Sequence, residues 1–150
     1  MPTDTFERRV LLGATPEATW TAVTDIQILV SWIPILSDVE EHRRLASYSA
    51  VLTDRIGLFS LSADLSIEVT DIAEGRSITL RAEGRDRLAD SRIFIEGKLD
   101  IGVTDGGTEL RIAGRYEVTG KVATFGGPMI RSRAKSIVND FFTGVTDSLG

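Results

Sequence analysis

At 150 residues, with 42% hydrophobic and 26% charged side chains, the chain suits one domain, residues 1–150, with a sizeable core that stays dissolved. A net charge of −5 argues against a general nucleic-acid binder, which needs a basic footprint for phosphate. The lack of cysteine excludes disulfides and thiolate metal sites and makes a reducing cytoplasm the default compartment, and the polar start MPTDTFERRV carries no signal-peptide apolar stretch.

TFERRVLLGA (5–14) reads as a first strand. In TPEATWTAV, Thr15 can cap a helix, Pro16 fits the first helical position, and Glu17 suits the positive end of the helix dipole. IQILVSWIPIL (26–36) follows, with eight of eleven residues large and apolar. It is shorter than the ~20 residues a bilayer crossing needs, and Pro34 disfavours helix at Ile33.

From Val39 to about Val118 the period is two. Phe59, Leu61, Ala63, Leu65, Ile67 and Val69 share one parity, and Ser60, Ser62, Asp64, Ser66 and Glu68 the other, as in an antiparallel sheet with one dry face. Ile78, Leu80 and Ala82 repeat the pattern. So do Ile93, Ile95, Leu99, Ile101 and Val103, and then Leu110, Ile112, Tyr116 and Val118. Turn signals separate these runs, and Asp105-Gly106-Gly107 is the best hairpin signal.

After Gly126-Gly127-Pro128 the spacing becomes helical: Ile130, Ala134, Ile137, Phe141 and Val145, broadened by Val138, Phe142 and Leu149. This helix starts either at Pro128 or nearer Lys121 with a kink at the proline. The predicted fold class is α+β: a curved antiparallel sheet of about six or seven strands wrapped around a long C-terminal helix, with two short helices after the first strand.

General acid–base catalysis needs a titratable group within reach of the substrate. The dry parities of the four scored strands hold none but Tyr116, which reads either as a phenol orienting a carbonyl or as a core tyrosine with its hydroxyl at the edge. No catalytic residue is assigned. His42, in EEHRR, reads as a solvated side chain rather than a metal ligand, since convergent partners are lacking. Gly120-Lys121 fails as a phosphate loop because Val122 stands where Ser or Thr is needed. Lys121, Arg131, Arg133 and Lys135 have no acid among them between Val118 and Asn139. They read as contacts to an anionic group or as snorkelling side chains on a solvated face. Arg85, Asp86 and Arg87 read as a solvated loop.

TPEATWTAVTDIQILVSWIP resembles the N-terminal pattern of the START-like (SRPBCC, helix-grip) superfamily: a strand, Pro-Glu, a Trp three residues on, an Asp near the helix end, and an apolar short helix closing on Pro. GKVATFGGPMIRSRAKSIVNDFF is similar to the carbon monoxide dehydrogenase CoxG branch, where Gly-Lys, a small apolar segment, Gly and a long helix with Phe-Phe recur. One departure is Ile35, where that branch often has glycine after the Pro.

The resemblance implies a cavity between sheet and helix for an apolar ligand, a quinone or lipid-like molecule, with the second short helix as its lid. On that reading Leu29, Trp32 and Ile33 gate the mouth. Ile137, Phe141 and Phe142 form the helix wall, and Leu65, Ile67, Leu80, Ile95, Ile112 and Tyr116 the sheet wall. The resemblance further implies a binder or carrier with no resident cofactor or metal. It would be accessory to a carbon monoxide dehydrogenase-like complex, cytoplasmic or peripheral to the inner membrane, and a monomer or homodimer. Two other readings stay open: a polyketide cyclase/aromatase-like enzyme of the same fold, and a ligand-free protein-interaction component in which residues 26–36 pack as ordinary core.

Overall fold

The computed structural model describes residues 3–87 and 91–150. Its strands are β1 (Thr3–Leu12), β2 (Leu36–Arg43), β3 (Ser47–Ile56), β4 (Phe59–Ala73), β5 (Ser77–Asp86), β6 (Arg92–Thr104) and β7 (Gly107–Thr119). They form one seven-stranded sheet in the order β1-β7-β6-β5-β4-β3-β2, with every neighbour antiparallel. The alternation in β4 is realised: Leu61, Ala63 and Leu65 are buried, while Asp64, Ser66 and Glu68 face water. The Asp105-Gly106 turn closes the β6–β7 hairpin, with Gly106 at φ 85°, a conformation that favours glycine.

The sheet is concave. Gly97 of β6 pairs directly with Gly114 of β7, so two adjacent positions on the inner face lack side chains, where a bend is easiest. Phe6 of β1 uses the space over Gly114: a Cβ there would come within 2.7 Å of its ring.

Three helices complete the chain. In α1 (Pro16–Val23), Thr15 Oγ1 accepts from the Ala18 N–H at 3.1 Å, and Pro16 takes the first position. In α2 (Ile26–Ser31), Asp25 Oδ1 accepts from the N–H groups of Gln27 and Ile28. The long α3 runs Lys121–Leu149, so the helix starts near Lys121. Its irregularity lies at Gly126 (φ −121°, ψ 17°), two residues before the proline. Pro128 has no N–H to donate and its ring crowds the carbonyl four residues back, so the preceding turn is disrupted and glycine absorbs the distortion.

The core forms two clusters. One joins Leu52, Ile56, Leu61, Leu65, Ile93, Tyr116 and Val118 to Val122 and Ile130 in the first half of α3. The other joins Leu12, Val23, Trp32 and Leu110 to Phe141, Phe142 and Val145 in the second half.

Candidate functional site

Between the concave face of the sheet and α3 lies a cavity of about 400 Å³, lined by members of both clusters and by α2. Its wall is almost wholly aliphatic and aromatic. Leu65, Ile67, Leu80, Ile95, Ile112 and Tyr116 line it from the sheet, and Ile137, Phe141 and Phe142 from α3. Leu29 and Ile33 line it from α2 and the residues just after, and so does Ile35, at the departure from the usual glycine.

Trp32 is the exception and corrects the expected gate. It is 5% exposed and absent from the cavity wall. Its indole stands edge-on to Phe141, with ring centroids 5.7 Å apart, and lies over Gly144, where a Cβ would run into the ring. Trp32 therefore anchors the end of α2 to the second half of α3. The run 26–36 divides: Leu29, Val30 and Ile33 face the cavity, Trp32 is core, and Ile28 is exposed.

The basic cluster also divides. Lys121, Arg131 and Lys135 are exposed and stand outside the wall, whereas Arg133 lines the cavity. Because α3 begins at Lys121, only that residue sits at the unfavourable positive end of the helix; Arg131, Arg133 and Lys135 lie beyond the first turn. Arg133 is not a free cation. Its Nε donates to Asp54 Oδ2 at 2.8 Å, and Asp54, also on the cavity wall, has a side chain only 11% exposed.

Asp54 is the residue the sequence reading missed. β3 alternates Tyr48, Ala50, Leu52, Asp54, Ile56, with all but Asp54 buried and hydrophobic, so a carboxylate on the dry parity was the available signal. The expectation that such a wall would lack titratable groups apart from Tyr116 is corrected: Asp54, Arg133 and Lys98 line it as well. The solvated-loop reading of residues 85–87 is corrected too. Arg85 and Asp86 end β5, Asp86 is 2% exposed and accepts from the Ser62 N–H at 3.3 Å, and Arg87 pairs with both oxygens of Asp64. His42 is exposed on β2, its ring 2.8 Å from Ser49 Oγ.

Tyr116 is 8% exposed, and its hydroxyl has no hydrogen-bond partner among the described residues. Burial pushes the phenol above its ordinary value near 10; Asp4, its cross-strand neighbour, adds to the shift and Arg131 opposes it. At neutral pH it is a proton donor, not a base.

Residues 9–150 match the profile of the carbon monoxide dehydrogenase CoxG family. The chain belongs to the CoxG family. Among solved structures, a conserved protein from Geobacillus kaustophilus is similar at 27% identity and TM-score 0.83, over 97% of this chain and 94% of that one. A START superfamily protein from Mycobacterium smegmatis shares 17% identity at TM-score 0.73, over 97% of this chain and 96% of that one. A Streptomyces aromatase/cyclase shares 11% identity at TM-score 0.72, over 97% of this chain and 93% of that one. The last two likenesses establish the START-like fold for this CoxG-family chain. No curated protein matches at a significant level. Among the described residues, no helix is long and apolar enough to cross a membrane.

Proposed function

We propose that this chain is a carrier that binds a quinone or lipid-like molecule in the cavity between sheet and α3. The observation that carries the reading is the cavity itself: about 400 Å³ of space in a pocket-sized range, with an almost entirely apolar wall. Each methylene buried there contributes about 0.8 kcal/mol, so a long chain binds tightly with few polar contacts. Binding rather than catalysis is supported by a phenol kept protonated by its surroundings and by charged wall groups that are all engaged in ion pairs, Arg133 with Asp54 and Lys98 with Asp100.

The family name supports a role beside a carbon monoxide dehydrogenase-type complex. Peripheral contact with a membrane is supported by one end of the molecule. There Leu58, 92% exposed at the tip of the β3–β4 turn, stands next to Met129, which packs on Gly57, and Arg55, Lys121 and Arg131 are exposed nearby in the fold.

The test is native mass spectrometry and organic extraction of the protein purified from its own organism. A co-purifying quinone or lipid in near-stoichiometric amount is expected. Protein that is empty on isolation and takes up no added apolar molecule would reject the carrier reading.

A further inference from the structure

The cavity wall is not featureless: it carries one tightly held ion pair, and that pair is balanced. Asp54 has both oxygens engaged, Oδ2 by Arg133 Nε and Oδ1 by the Arg55 N–H, each at 2.8 Å. Nothing of the carboxylate is left over for a ligand hydroxyl. The guanidinium is different. Nη1 reaches only Ser136 Oγ, at 3.5 Å, the long limit for a hydrogen bond, and Nη2 has no partner among the described residues. Donor capacity is left over on the cavity wall while the net charge of the pair is zero. The other cation there, Lys98, lies 3.6 Å from Asp100 and is balanced as well.

Those two facts set a chemical class. A carboxylate or phosphate head drawn into this space loses its water and meets no uncompensated positive charge, which is an expensive transfer. An uncharged acceptor oxygen loses little water and finds the N–H groups of a planar fork already fixed in place by Asp54. Position argues the same way. The alternation of β3 calls for an apolar residue at 54, and apolar packing could hold α3 to β3 without a desolvated ion pair. Tyr116, buried and without a partner for its hydroxyl, adds a second neutral donor to the wall.

We propose that the cavity selects uncharged apolar ligands that carry a carbonyl, ester or ether oxygen, and that the Arg133–Asp54 pair is the contact that recognises this oxygen and turns away anionic amphiphiles. The inference rests on the carrier reading and sharpens it.

The experiment uses the full chain and displacement of the neutral fluorescent reporter N-phenylnaphthylamine by three probes of matched length: undecane, undecan-2-one and undecanoate. Wild-type protein is expected to prefer the ketone over the alkane by about ten-fold, the value of one hydrogen bond to a charged group, and to bind undecanoate more weakly than the ketone. Arg133→Met should erase the ketone's advantage and leave undecane affinity intact. Asp54→Asn leaves Arg133 uncompensated and should shift the preference toward undecanoate, a gain that loss of folding cannot mimic. If the reporter binds but both variants keep the wild-type ranking of the three probes, the pair is only a strap between β3 and α3, and this inference falls while the carrier reading stands. If the reporter and all three probes fail to bind wild-type protein, both are lost.

Discussion

Trp32 shows how much one side chain decides in this fold. It is nearly inaccessible, stands edge-on to Phe141, and fits because residue 144 has no Cβ. Trp32→Ala should cost about 3–5 kcal/mol, the usual range for deleting a buried aromatic, with a parallel loss in Gly144→Ala as the indole is displaced; chemical denaturation measures both. Tyr116 predicts the opposite sign. Its hydroxyl is buried without a partner, so Tyr116→Phe should leave the unliganded protein unchanged or stabilise it by up to about 1 kcal/mol. The pH dependence follows from the raised phenol pKa. The native state keeps this proton longer than the unfolded chain, so Tyr116 leaves stability untouched below about pH 10 and lowers it above. The phenylalanine variant should lose that component of the alkaline decline in a melting-temperature profile.

At the level of elements, regular sequence became regular structure, and the surprises sit where one residue departs from the period. The strands were legible because one face of the sheet is wet, which writes the period of two into β4 through β7. Most of the sheet wall and the helix wall follow from that parity and from the spacing of Ile130, Ile137 and Phe141. Two things were not legible. Asp54 looked like one more charge in a polar run, because its partner lies on α3, far along the chain. The direction of Trp32 depends on a glycine equally distant in sequence. The start of α3 stayed open because Gly-Gly-Pro can either end a helix or bend one, and only packing decides. Pro128→Ala is therefore expected to let the turn around Gly126 close, with stronger far-ultraviolet helical signal and greater amide protection over residues 124–127. An unchanged exchange pattern would assign the break to the packing of Gly126 on Ile56.

For the whole molecule, the two core clusters and the cavity between sheet and helix are one design problem, since walls that curve away from each other must be kept apart. Gly97 offers a way to test the cavity without disturbing the walls. It lines the space, and a Cβ there would meet only the Ala113 carbonyl, at 3.8 Å. Gly97→Leu should therefore project into the cavity, abolish uptake of apolar probes and keep the melting temperature within a few degrees; loss of folding instead would mean the bend at the Gly97–Gly114 pair cannot bear a side chain. The same void has a consequence for the lifetime of the protein. Unfilled space weakens a fold in proportion to its volume, and anything that binds only the native state restores the loss by mass action. Vacant copies would then open more often and be cut sooner by proteases than loaded ones. A population in a cell would be enriched in molecules with cargo aboard by turnover alone, without a separate sensor to tell full from empty.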